Sequence, residues 1–380
     1  MDYVVLCIFL IIIIFLYNRY QNKLNLEKRD SYSLIRKYLI NTDENDNLRK
    51  NKKPIIWLYL DYEYNARNWL NFGSRSSHEL NQPYFFITIK SIIHHCGDDF
   101  HICLIDHKSF RKLIPNWSIN MTKISNPVKM YMKNLAMMKI LHIYGGFIVP
   151  PSFLCFRNLK ELYMENENNV FMFDGADNKQ WMSMKDNYPS NAGTEGSNRS
   201  DSVFPKLEFM GSRKKSDVIA SLIRYMEREI SQDYTADMQF EHKLAKWCIH
   251  NPQIKRINGK LIGVKTKEGE TIDLDNLFST NEIEFHKHMY GILIPAGEIL
   301  ARPKYEWFSR MSAVQVLESD MIISRYMRSV SSGFVKERPE LNTNKWVGWW
   351  QVPSHFSLYG MKPQPFATNL IMTNKPPPKP

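Results

Sequence analysis

The residues best placed for chemistry follow a short apolar strand pattern in the segment Tyr144 to Cys155, YGGFIVPPSFLC. This segment reads as a helix end, a buried strand FIV and then two prolines and a serine. Residues that follow a strand of an α/β sheet are the ones that reach a ligand. Pro150 has no polar side chain and Ser152 has one neutral hydroxyl, so the segment offers no charged oxygen to a cation.

Carboxylates that could act instead lie elsewhere in the chain. Asp174 and Asp177, in FDGAD, follow another predicted strand and are the candidate catalytic acids. The alternative interpretation is a turn without a catalytic role, because aspartate and glycine are also the residues that favour turn conformations of the backbone. Asp61 ends the first predicted strand, where it could contact a nucleotide. We therefore expect no cofactor, and Mn²⁺ or Mg²⁺ only if distant acids rebuild a site.

Alternating strand and helix patterns must position these residues, and they predict an α/β fold with a mostly parallel, Rossmann-like sheet. Buried strands are predicted from short apolar runs and helices from apolar residues at three-to-four spacing. The predicted strands span 54–61, 100–106, 147–149, 169–174 and 206–211, and the main predicted helices span 84–97, 126–146 and 216–230.

Three of these segments together resemble a known family. They are KPIIWLYL, KNLAMMKILHIYGG and FIVPPSF. They are similar to glycosyltransferases with a GT-A fold and a DXD sugar-binding region, of the initiating α-1,6-mannosyltransferase and capsular polysaccharide transferase type. In that family the first strand reads roughly P-x-I-I-H-Q-I-W, the helix S-D-L-L-R-Y-x-x-L-Y-x-Y-G-G, and the next strand I-Y-L-D-x-D. The resemblance implies a GT-A-like fold and a nucleotide-sugar pocket.

The resemblance also implies an altered site. In the family, the two DXD carboxylates bind a divalent cation that holds the donor diphosphate. Pro150 and Ser152 occupy those positions here, and Asn134 and Met137 replace an aspartate and an arginine of the helix. These changes favour a protein that keeps the family's fold but has no metal site and has lost metal-dependent catalysis. By family position the pocket residues are Trp57, Asp61, Asn134, Met137, Tyr144, Gly145, Gly146, Pro150 and Ser152.

The N-terminal segment predicts a membrane anchor. Residues Tyr3 to Tyr17 carry no charged side chain, and we expect an uncleaved single-pass anchor over residues 1–20, with the lipid bilayer as partner. Basic residues follow this segment, which favours a cytoplasmic body, whereas the family analogy favours a lumenal one, so two orientations stay open.

The remaining chain divides by composition. We expect a stalk over 21–53, a GT-A-like domain over 54–300, an aromatic C-terminal extension packed on it over 301–366, and a disordered tail over 367–380. Residues 178–203 are rich in glycine, serine and asparagine and predict a long loop. The net charge of +11 favours anionic partners, but no nucleic-acid-binding motif is present and no nucleic-acid partner is expected.

Three functions follow from these patterns. The first is a membrane-anchored glycosyltransferase-like protein, degenerate for metal-dependent transfer from a nucleotide sugar. The second is an active transferase that works without a metal, with Lys129, Lys133 or Lys139 in place of the cation, or with a rebuilt acidic site. The third is a non-catalytic structural or glycan-binding membrane protein, and the composition would suit one from a large DNA virus.

Overall fold

The computed structural model describes residues 12–17, 53–60, 82–125, 127–175, 205–232, 240–301, 303–311 and 313–331. Residues 12–17 are helical and exposed, and within these ranges no helix has both the length and the apolar character that a bilayer crossing requires. Most of the predicted anchor and stalk, the loop 178–203 and the chain from 332 onward lie outside the described residues. Asp61 and Asp177 lie outside them as well.

A mixed sheet forms the centre of the described structure. The strands are β1 (Ile55–Tyr59), β2 (His101–Ile105), β3 (Gly146–Ile148), β4 (Phe153–Cys155), β5 (Val170–Asp174), β6 (Pro205–Ser212), β7 (Ile254–Ile257) and β8 (Gly291–Leu293). Six of them form the main sheet in the order β2-β1-β3-β6-β5-β7. β1 is parallel to β2 and β3, β5 is parallel to β7, and β6 is antiparallel to both its neighbours. The predicted α/β fold with a mostly parallel sheet is confirmed.

Helices cover both faces of this sheet. They are α1 (Phe85–Cys96), α2 (Ser109–Leu113), α3 (Val128–Tyr144), α4 (Lys160–Met164), α5 (Asp217–Ser231), α6 (Phe240–His250), α7 (Leu274–Phe278), α8 (Ala296–Ala301), α9 (Glu306–Arg310), α10 (Ala313–Glu318) and α11 (Ile322–Ser331). In β1, Ile56 and Leu58 belong to the core that includes α1, whereas Ile55 and Trp57 belong to the core of α3 and α5. Successive strand residues point to opposite faces, so a strand covered on both faces is apolar throughout.

A smaller antiparallel sheet of β4 and β8 extends the α1 side. Helices α9 to α11 pack onto the same core, to which Phe308, Met321 and Met327 contribute fully buried side chains. The described part of the predicted C-terminal extension is therefore continuous with the core around α1.

Two glycines allow the sharp connection from α3 to β3. Gly145 has a φ of +70° and Gly146 a φ of +105°, both in the region that disfavours side chains. A Cβ on Gly146 would lie 2.3 Å from the carbonyl oxygen of Ile55. The Trp57 indole donates a 2.8 Å hydrogen bond to the Gly145 carbonyl, and the Tyr144 ring packs on the Trp57 ring at 5.6 Å. Gly145, Gly146, Trp57 and Tyr144 thus form a packed structural junction.

Candidate functional site

A pocket lies where the strand order of the sheet reverses. The chain passes from β1 to β2 on one side and returns through α3 to β3 on the other. The crevice outside the carboxyl ends of strands at such a reversal is the usual ligand site of open α/β sheets. A cavity of about 180 Å³ occupies this place and is here termed the edge pocket. It is lined by Tyr59, Phe85, Lys133, Asn134, Met137, Met138, Ile148, Val149, Pro150, Pro151, Ser152, Leu207, Glu208, Ala296 and Gly297.

The prolines after β3 form a tight turn at the pocket wall. The Phe153 N–H donates a 3.0 Å hydrogen bond to the Pro150 carbonyl, which closes a β-turn with Pro151 in its second position. Proline suits that position because its φ is already restricted. The Thr88 hydroxyl donates to the Pro151 carbonyl at 2.5 Å. This turn connects the main sheet to β4, and its only polar side chain belongs to Ser152.

Two neutral polar side chains open into the pocket. Asn134 on α3 is 6% exposed and Ser152 is 4% exposed, and neither side chain has a hydrogen-bond partner among the described residues. An amide and a hydroxyl both donate and accept hydrogen bonds, as sugar hydroxyls do. Met137 and Met138 supply an apolar wall beside them. The pocket can therefore hydrogen-bond a polyol and cover its apolar face.

One ion pair lies at the pocket mouth. The Lys133 Nζ is 3.3 Å from the Glu208 carboxylate and 5.5 Å from the centroid of the Tyr59 ring. The Lys133 side chain is 22% exposed and the Glu208 side chain 57% exposed. Lys139, further along α3, instead pairs with Glu227 at 2.7 Å. Of the three α3 lysines considered from the sequence, only Lys133 lines the edge pocket.

The other predicted site residues lie away from this pocket. Trp57, Tyr144, Gly145 and Gly146 meet at the amino end of β3, in the junction described above. The structure therefore brings together Asn134, Met137, Pro150 and Ser152 from the predicted set, and it separates them from the residues of the junction.

The candidate acid Asp174 is engaged in an ion pair. It ends β5, and its carboxylate accepts a 2.9 Å hydrogen bond from Arg256 of the neighbouring strand β7. Asp174 does not line the edge pocket. Its partner, Arg256, gives the carboxylate a structural role in joining the two strands.

The edge pocket does not fit a divalent cation. Hard cations such as Mn²⁺ and Mg²⁺ prefer several oxygen ligands, most of them charged. Among the described residues, the pocket offers one carboxylate, that of Glu208, which is paired with Lys133. The described chain holds no group of three or more His, Cys, Asp and Glu side chains arranged for a metal. The described side chains of the pocket therefore do not supply the set of charged oxygen ligands that a divalent cation requires.

Several residues of the site were not predicted from the sequence. Tyr59 ends β1 on the same face as Trp57, two residues closer to the carboxyl edge. Glu208 is, with Lys206, one of the two charged residues of β6. The Gln82 amide donates a 3.4 Å hydrogen bond to the carbonyl of Ala296, a lining residue of the pocket. The Gln82 side-chain oxygen and the Tyr84 hydroxyl are buried with no hydrogen-bond partner among the described residues. Burial raises the pKa of Tyr84 well above its usual value, so this hydroxyl stays protonated.

Comparisons of the chain with models of protein families, with curated proteins and with solved structures give no match.

Proposed function

We propose that this chain is a membrane-anchored, GT-A-like protein that binds a nucleotide sugar in the edge pocket without a divalent cation. It is degenerate for metal-dependent sugar transfer. One observation carries the proposal: Asn134, Met137, Pro150 and Ser152, which come from two separate segments, line one pocket at the strand reversal. These are the positions at which the resembled family binds its donor.

The size of the pocket supports binding of one sugar ring. Its volume of about 180 Å³ lies below the range of about 300–1,000 Å³ that is typical of sites for drug-sized ligands. A single monosaccharide fits such a volume, with its hydroxyls on Asn134 and Ser152 and its apolar face on Met137. The diphosphate and the nucleoside of the donor then extend from the pocket mouth.

Lys133 supplies the positive charge for that diphosphate. A lysine is a common phosphate ligand, and a fixed cation at the mouth can take over part of the charge neutralisation that a metal provides in the family. Because Lys133 is paired with the well-exposed Glu208, its ammonium group can exchange that partner for phosphate oxygens at little cost.

The experiment that tests this function is titration calorimetry on the full chain in detergent micelles, with GDP-mannose and UDP-glucose as probes. We expect binding in EDTA with a Kd that changes less than about twofold when Mn²⁺ is added. Binding that depends on Mn²⁺, or no binding of either probe, contradicts the proposal.

A matched variant tests the position of the lost metal site. The double substitution Pro150→Asp with Ser152→Asp places two carboxylates at the ends of the turn, so we expect a measurable affinity for Mn²⁺ that the wild-type chain lacks. If the variant folds and its Mn²⁺ affinity is unchanged, the assignment of these two positions to the family's DXD pair is wrong.

Catalysis is a separate question from binding. Release of free sugar or nucleoside diphosphate from a bound probe, measured by chromatography, distinguishes an active metal-independent transferase from a non-catalytic binder. Because no carboxylate other than Glu208 lines the edge pocket among the described residues, we expect turnover to be absent.

A further inference from the structure

A second cavity lies beyond the carboxyl end of the edge strand β2, outside the edge pocket. It has a volume of about 790 Å³ and is formed by the residues that follow β2, by α2 and by the loop 116–122. Its ionisable side chains, His107, Lys108 and Arg111, are all basic, and no acidic residue of the described chain lines it. Lys108 and Arg111 are exposed. This cavity is here termed the basic groove, and its lining favours a negatively charged ligand.

The rest of the lining is rich in hydrogen-bonding groups that carry no charge. Asn116, Ser118, Asn120 and Thr122 contribute two amides and two hydroxyls. The Asn120 side chain accepts hydrogen bonds from the Thr122 hydroxyl at 2.7 Å and from its N–H at 3.1 Å, which fixes the end of the loop. Neutral donors and acceptors of this kind match the hydroxyls of a saccharide.

Trp117, which lines the groove, carries a buried polar group that is not hydrogen-bonded within the described chain. The side chain is 7% exposed, and its indole N–H is buried with no acceptor among the described residues. Buried donors are nearly always hydrogen-bonded, and an exception requires an explanation such as a bound ligand or water. The preceding residue, Asn116, has a φ of +59°, a left-handed conformation that is uncommon outside glycine and marks a constrained loop.

The groove is joined to the edge pocket by an aromatic wall. The centroids of the Trp117 and Phe110 rings are 5.9 Å apart, and the Phe110 ring stacks on the ring of Tyr59, a lining residue of the edge pocket, with a centroid distance of 5.7 Å. The two cavities therefore lie on the same edge of the sheet but have different chemistry. The edge pocket contains an ion pair, whereas the ionisable side chains that line the basic groove are all of basic type.

We propose that the basic groove binds a saccharide that carries a phosphate or sulfate group. Lys108 and Arg111 bind the tetrahedral oxyanion, and the amides and hydroxyls of the loop bind the sugar. The groove volume lies within the range of about 300–1,000 Å³ that is usual for small-molecule sites, which leaves room for the sugar as well as the anion. This site does not depend on the function proposed for the edge pocket.

Titration calorimetry on the full chain in detergent micelles tests the groove, with glucose 6-phosphate and glucose 6-sulfate as the two charged probes. We expect at least one of them to bind more tightly than glucose or inorganic phosphate, and the stronger of the two identifies the oxyanion. Lys108→Gln and Arg111→Gln should each weaken that binding on the order of tenfold, because a charge-assisted hydrogen bond is lost.

Two control variants distinguish binding in the basic groove from a non-specific effect of positive charge and from binding in the edge pocket. Lys112→Gln changes an exposed cation of the same helix that does not line the groove, and Lys133→Met changes the edge pocket. Both should leave binding of the charged sugar unchanged. The proposal is overturned if neither charged sugar binds, if Lys112→Gln weakens binding as much as Arg111→Gln does, or if Lys133→Met abolishes it.

Discussion

Replacing Lys133 by methionine should weaken nucleotide-sugar binding strongly while the fold stays intact. Methionine keeps much of the aliphatic stem and removes the ammonium group, which lies 3.3 Å from the Glu208 carboxylate at the pocket mouth. The Glu208 side chain is 57% exposed, and exposed ion pairs contribute less than about 1 kcal/mol to stability. We therefore expect the free energy of unfolding, measured by urea denaturation, to fall by less than about 1 kcal/mol.

The effect on affinity should be much larger. A hydrogen bond to a charged group contributes about 1.5–3 kcal/mol, which corresponds to a rise in Kd of roughly 10- to 150-fold for GDP-mannose or UDP-glucose in EDTA. Glu208→Gln should have the opposite effect on affinity and lower the Kd a few-fold, because it removes the carboxylate that competes with phosphate for Lys133.

Lys139→Met is the matched control for this pair of variants. Lys139 lies on the same helix, pairs with Glu227 at 2.7 Å and does not line the edge pocket, so its replacement should leave the Kd unchanged. The reasoning is refuted if Lys133→Met binds both probes as the wild-type chain does, or if Lys139→Met weakens binding equally.

Three further predictions concern stability. Gly146→Ala should lower the free energy of unfolding by more than about 2 kcal/mol, because φ is +105° and the new Cβ would lie 2.3 Å from the Ile55 carbonyl oxygen; urea denaturation measures this. Trp57→Phe should cost about 1–3 kcal/mol in the same assay, because the buried Gly145 carbonyl loses its 2.8 Å hydrogen bond, and should leave nucleotide-sugar affinity unchanged. Burial, with a smaller effect of the neighbouring His94, lowers the pKa of His95 below its usual 6.5, so the unfolded chain takes up this proton before the folded chain does as the pH falls. The urea midpoint of unfolding should therefore decrease between pH 7.5 and 5.5, and it should decrease less steeply in His95→Gln.

Much of the central sheet could be predicted because its signals are local. β1 and β2 are short apolar runs, as parallel strands covered on both faces require. α3 has apolar residues at helical spacing and ends at Gly145, where the left-handed conformation stops the helix. The direction of β6 could not be read from its sequence, because an apolar alternation is the same in either direction. Its antiparallel placement follows from long-range pairing with β3 and β5.

The candidate site was only partly predictable, because α3 runs from one edge of the sheet to the other. Asn134 lies near the carboxyl edge, whereas Tyr144 is ten residues further on, about 15 Å along a helix axis, at the amino edge. A family pattern that lists both residues therefore combines a pocket position with a structural one. Trp57 and Tyr59 share one face of β1, but only Tyr59 reaches the edge. Sequence spacing specifies the face of a strand and not the distance from its end.

The most direct test of the proposed pocket is methyl NMR of the full chain in detergent micelles, with methionine methyls labelled. Met137 and Met138 line the edge pocket, and Met137→Leu and Met138→Leu assign their signals. Titration with GDP-mannose or UDP-glucose in EDTA should shift both methyl signals to saturation, and Mn²⁺ should change the titration little. Shifts confined to other methionines, or shifts of these two that require Mn²⁺, would contradict metal-free sugar binding in the edge pocket.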